Sequence, residues 1–136
     1  MAISNRERID KGLEQTRLGL VPFVERELQQ HLGPQWEASI EAGFRRLERT
    51  TTGGIAWDTY SLFKVMWDQW NTVFRNSLGL GDRNYVSELI GVRNDHAHEK
   101  PSSSEDTERY LDTMRRLLQA VSGLRSPVRA TCISTR

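Results

Sequence analysis

One cysteine, three lysines and no long apolar run distinguish this 136-residue chain by what it lacks. The lone Cys132 excludes an intrachain disulfide and any zinc site built from several thiolates. No apolar stretch approaches the ~20 residues that a membrane span needs, so no membrane association is expected. The opening "MAISNRERID" is polar and carries no secretory signal pattern, which makes a cytoplasmic location the expectation. Runs of alternating β-branched residues are missing, as is any repeat at a fixed period, so no strand and no solenoid is expected. No glycine-rich phosphate loop and no motif for a Ser/His/Asp nucleophile is found, and no cofactor is expected. Excess charge is also missing. With 19 basic against 18 acidic residues, any contact with nucleic acid has to come from a local patch rather than from the field of the whole molecule.

What is present is helical periodicity. Ile9, Leu13, Thr16, Leu20, Val24 and Leu28 share one stripe, which predicts a helix over residues 5–32, ended by Gly33 and Pro34. Gly19 and Pro22 inside it predict a kink. Trp36, Ile40, Phe44 and Leu47 mark a second, shorter helix, and "TTTGG" at residues 50–54 reads as a loop. Asp58 is placed to cap a third helix that runs to Gly79. Its apolar face (Leu62, Phe63, Met66, Trp67, Trp70, Val73, Phe74) spans about 120°, wide enough to suggest burial against bundle neighbours and a second protomer. Asp82 is placed to cap a fourth helix reaching about residue 98. Ser103 with Asp106 resembles a capping box ahead of a fifth helix carrying Tyr110, Met114, Leu117, Leu118 and Val121, stopped by Gly123 and Pro127. The expected fold is all-α, an up-and-down bundle of four to five helices over residues 1–124, with residues 125–136 as a flexible tail or linker.

The fourth helix raises a chemical question. In "SELIGVRNDHAHEKP", an arginine interrupts the apolar stripe. Taking Arg93 as zero and 100° per residue, Val86, Leu89, Ile90 and Ala97 fall at about 20°, −40°, 60° and 40°. The plain explanation is a buried ion pair with a carboxylate from another helix, with His96 and His98 as ordinary polar residues at a helix end. Against it, Asn94 and His98 are i, i+4 on one face, and small Ala97 between Arg93 and His98 leaves space. A guanidinium fork, an amide and an imidazole on one edge of a cleft can hold a phosphate and move a proton near neutral pH. A metal site in "DHAHE" is disfavoured, because His96 and His98 point about 200° apart on a helix and so cannot share one ion.

At these residues the chain resembles the HEPN superfamily. "RNDHAH" looks like its signature, an arginine and a polar residue followed by a histidine, with four residues here between Arg93 and His98. The segments "RERIDKGLEQTRLGLVPFVERELQQHLG", "FKVMWDQWNTVFRNSLG" and "SELIGVRNDHAH" together resemble one branch of it. That branch occurs in a eukaryotic nuclear endoribonuclease and at the N-termini of large bacterial ATP-binding proteins, some tied to phage defence. The resemblance implies a helical bundle that forms a homodimer, with two motifs facing one cleft. It also implies a toxin-like, metal-independent endoribonuclease that acts on RNA through the 2′-hydroxyl. In those roles Arg93 would hold the scissile phosphate, Asn94 would orient it and His98 would move protons, while Asp95 and His96 would be secondary RNA contacts. The chain departs from the pattern at His96, where an aromatic is expected, and at Asp95, where a basic residue is. Two further readings stay open: a catalytically silent RNA- or nucleotide-binding module, and a dimerisation domain serving a larger ATPase or an antitoxin-like partner.

Overall fold

The protein was analysed as a computed structural model that describes residues 3–123. The expected tail at 125–136, with Cys132, lies outside the described residues. Among those described there are five α-helices: α1 (Asn5–Leu32), α2 (Trp36–Glu41), α3 (Thr59–Asp68), α4 (Leu80–Ala97) and α5 (Ser104–Ser122). The only strand-like feature among them is an isolated bridge between Arg49 and Ile55. The fold is all-α, and no described helix is long and apolar enough to cross a membrane.

Local chemistry sets most of the boundaries. Ser4 opens α1 with a capping box in which its hydroxyl accepts from the Glu7 N–H at 3.1 Å. Gly33, at φ 78°, ends α1 in a conformation that side chains resist, and Pro34 follows. Between these ends α1 is continuous through Gly19 and Pro22. Gly19 has a packing role: a Cβ there would meet Leu118 Cδ2 at 2.5 Å, and one at Gly12 would meet Leu111 Cδ2 and Met114 Sδ at 2.7 Å. The two glycines let α5 seat its leucines directly on the α1 backbone.

Two helices are shorter than their periodicity predicts. The α2 helix stops at Glu41, and Phe44 and Leu47 reach the core from irregular chain instead. Arg49 holds that chain against α2 through ion pairs with Glu37 and Glu41. Asp58 caps α3 as expected, accepting from the Ser61 N–H at 2.8 Å. After Asp68 the helix loosens into turns and a 3₁₀ segment, Phe74–Asn76. Asn76 is one cause: its amide donates to the carbonyls of Thr72 (3.1 Å) and Val73 (2.9 Å), so a side chain takes acceptors that helix N–H groups would have used. Asp82 acts at the start of α4 from the third helical position, accepting from the Gly79 N–H at 2.9 Å. Ser103 caps α5 by accepting from the Asp106 N–H at 3.0 Å.

Helices α3, α4 and α5 alternate in direction. Residues 33–58 carry the chain back along α1, so that α3 runs parallel to it: Arg17 donates to the Trp57 carbonyl near the start of α3, and Phe23 packs on Phe74 past its end. The core is one layer of side chains shared by the four longer helices, with Leu20, Phe23, Leu28, Phe63, Met66, Val86, Leu89 and Leu117 fully enclosed. The broad aromatic face expected of the third helix is largely consumed here: Leu62, Phe63, Met66, Trp70, Val73 and Phe74 are buried within this chain, and only Trp67 of that set stays exposed. This arrangement brings the C-terminal end of α4 between the first turns of α1 and α3.

Gly12→Val should lower stability by about 1–3 kcal/mol, because the side chains of Leu111 and Met114 have to shift to admit the added methyls; chemical denaturation with an unchanged m-value checks it.

Candidate functional site

Arg93 sits at the shoulder of the buried stripe of α4. The residues that α4 buries are Val86, Leu89 and Val92. Their centre lies about 40° from Arg93, so Arg93, Ile90 and Ala97 form the edge facing α3 rather than the middle of the stripe. There Arg93 is half-buried with its guanidinium 5.0 Å from the centre of the Tyr60 ring. Its Nη1 lies 3.4 Å from the Asn94 side-chain oxygen, a long contact. The carboxylate partner that a buried ion pair requires is missing: among the described residues none pairs with Arg93. An aromatic face stabilises the cation without neutralising it.

Two cavities flank Arg93. The first, about 200 Å³, lies between α3 and α4 and is lined by Tyr60, Phe63, Trp67 and Ile90, with Lys64, Asp68 and Asn94 at its polar parts. Asp68 accepts a hydrogen bond from the Lys64 ammonium at 2.8 Å, which holds the Lys64 pKa above its ordinary value despite partial burial. The second cavity, about 390 Å³, opens toward α1 and contains Asp10, Glu14, Arg17, Asp58, His96 and Ala97. Glu14 is bound bidentately by Arg17 (2.7 and 2.9 Å), which depresses its carboxyl pKa below the usual value. Three carboxylates outnumber the two guanidiniums of Arg17 and Arg93 there, so an anion is disfavoured on that side. The Asn94 side, where Lys64 offsets Asp68, is the more hospitable one.

Asn94, like Arg93, lines the first cavity. His96 joins Arg93 at the second, its side chain 15% exposed and its Nε2 3.4 Å from Asp10 Oδ1. Asp95 is exposed and lies 3.5 Å from Lys100, which offsets its charge. His98 is exposed and lines neither cavity. It is not a helical residue but the C-cap of α4, with φ −90° and ψ 10°. The helix closes in a Schellman motif: the Lys100 N–H reaches the Asp95 carbonyl at 2.9 Å and the Glu99 N–H reaches that of His96 at 3.1 Å. Glu99 takes the left-handed position, φ 59°, where glycine is the favoured residue. Arg6 ties this end to α1, donating to the His96 carbonyl at 3.4 Å and pairing with Glu99 at 3.7 Å. Among the described residues no group of three or more His, Cys, Asp and Glu is placed to hold a metal ion.

Four contributors were not assigned to the site from the sequence, although Trp67 was read as part of the apolar face of the third helix. Tyr60, Lys64 and Trp67 recur at i, i+4 and i+7, a pattern that periodicity shows. Asp10 lies 86 residues from His96 and leaves no local signal.

Arg93→Ala should cost only about 0.5–1 kcal/mol of stability, the worth of an exposed cation–π contact. The 3–5 kcal/mol that accompanies a broken buried pair is not expected, and a thermal melt separates the two.

The family described as Swt1-like HEPN matches residues 11–122. No curated protein and no solved structure matches the chain.

Proposed function

The chain belongs to the Swt1-like HEPN family, and from that membership we propose that it is a metal-independent endoribonuclease of the Arg-x4-His type, centred on Arg93, Asn94 and His98. The observation that carries the reading is the half-buried guanidinium of Arg93, which is stacked on Tyr60 and has no carboxylate partner among the described residues. Such a cation is left to recruit an anion from solution, and its fork matches a phosphate. In the reaction the 2′-oxygen of RNA attacks the adjacent phosphorus and the bond to the 5′-oxygen breaks. The 2′-hydroxyl proton passes to a base, and a proton returns to the leaving oxygen. Products are a 2′,3′-cyclic phosphate and a 5′-hydroxyl. The nucleophile is already beside the phosphorus, so the protein's tasks are charge stabilisation and proton transfer. Arg93 supplies the first with Asn94, and His98 the second.

A second reading, RNA binding without cleavage, is favoured by His98, which is exposed and lines neither cavity beside Arg93. A homodimer would address this. Two copies facing one another across the open α4 end bring two arginines and two C-cap histidines to one cleft, each contact made twice by symmetry. Larger ATP-dependent or antitoxin-like partners belong to the same reading of the family.

RNA incubated with the parent protein should yield cyclic-phosphate ends, undiminished by EDTA. His98→Ala should abolish cleavage while RNA affinity stays within about threefold, because proton transfer lowers the barrier more than it strengthens ground-state binding. His96→Ala should retain activity. If His96→Ala is the silent variant instead, the proton carrier is the imidazole beside Asp10. An inactive parent that still binds RNA leaves the binding-only reading.

In solution the protein should be a dimer at micromolar concentration by light scattering. A monomer would rule out a site composed from two chains.

A further inference from the structure

The exposed aromatic rings of α3 form a set. Tyr60 and Trp67 lie seven residues apart on one face, 46% and 39% exposed. Trp36, Trp57 and Trp70, by contrast, are all buried. Each exposed ring carries an arginine from α4: Arg93 over Tyr60 at 5.0 Å and Arg83 over Trp67 at 4.5 Å. No carboxylate pairs with either arginine among the described residues, and the buried Nε of Arg83 has no hydrogen-bond partner. The rise of α3 separates the two arginine–aromatic rungs by about 10 Å. Between them lies the cavity of about 200 Å³, with walls from Tyr60, Phe63, Trp67 and Ile90 and polar groups from Asp68 and Asn94.

We infer that this cavity takes one unstacked base of a single-stranded RNA, the base adjoining the phosphate at Arg93. The inference rests on the RNA reading above and adds to it a ligand group and a place. Aromatic walls accept any base through its π face, and a cavity of this size admits one ring system rather than a duplex. Asp68 accepts hydrogen bonds and Asn94 both donates and accepts, so the edge of the base meets partners rather than bare carbon. Arg93 borders this cavity while carrying the phosphate, which fixes base and backbone in register. Arg83 continues the positive track along the strand at the second rung. A protein surface docking here would have to neutralise two stacked guanidinium groups, and a nucleic-acid backbone does so by nature.

Trp67 is the exposed tryptophan, so its fluorescence reports on the site in the intact protein. The probe is a short single-stranded 2′-fluoro RNA, which lacks the attacking hydroxyl and separates binding from cleavage; a duplex of the same sequence is the comparison. Single strand should quench the fluorescence saturably, and duplex should not. Trp67→Ala should weaken binding of the single strand roughly tenfold to a hundredfold, the loss expected from one base–aromatic stack, while Trp67→Phe should come within a few-fold of the parent. Melts of both variants verify folding. If Trp67→Ala binds as tightly as the parent while Arg93→Ala loses binding, RNA recognition stands and the base cavity is overturned. A Trp67→Ala protein that changes only its oligomeric state, with affinity intact, assigns the stripe to a subunit contact and overturns the cavity equally. A parent that binds neither strand form removes the RNA reading and the cavity together.

Discussion

The cation at position 93 constrains everything around it. A guanidinium at the edge of an apolar layer has to be paired, hydrated or presented to a ligand, because an unpaired charge in low dielectric is prohibitively costly. Among the described residues no carboxylate pairs with it. The chain covers one face of Arg93 with Tyr60 and leaves room on both flanks. The helices that meet there are arranged accordingly: α3 contributes a ring instead of a carboxylate, and α1 turns its acids toward His96 and Arg17 on the far side.

The geometry of α1 makes that arrangement possible. It is the longest element, and α3, α4 and α5 all lean on it. Gly12 and Gly19 bring α5 close on one side. On the other side, Trp57 is fixed by Arg17 at its carbonyl and by Glu25, which accepts from its indole N–H at 2.8 Å, so the entry to α3 is set before α3 begins. Tyr60, the second residue of α3, reaches Arg93 of α4. The ring that supports Arg93 thus depends on hydrogen bonds made one turn earlier in the chain.

Much of this was legible in sequence, and what was legible was local. Gly33, Asp58, Ser103 and Gly123 mark helix ends through bonds to their own neighbours, and periodicity gave α1 and α5 nearly to the residue, whereas α4 begins at Leu80, ahead of the cap expected at Asp82. The likeness to the HEPN superfamily was likewise legible, and the family match over residues 11–122 agrees with it. Failures fall where competition or distance decides. Periodicity carried α3 to Gly79, yet Asn76 bonding back to Thr72 and Val73 favours a looser turn. The reading of Arg93 as mid-stripe failed because Val92, not Ala97, completes the buried set. The end of α4 was placed near residue 98 without its Schellman turn, since a glutamate rather than a glycine adopts the left-handed position; Pro101 just beyond was the available hint. Partners such as Asp10 come from folding alone.

The direction of α5 has an architectural consequence. It begins beside the end of α4, where Asn5 binds the Ser102 carbonyl at 3.1 Å, and runs away from that end for 19 residues. At helical rise, its exit at Ser122 lies about 27 Å from its start. The bundle therefore has two poles: one presents Arg93, His96 and His98 together with the first turn of α1, and the other releases the chain. Gly123, the last described residue, thus lies a helix length away from the pole that carries Arg93.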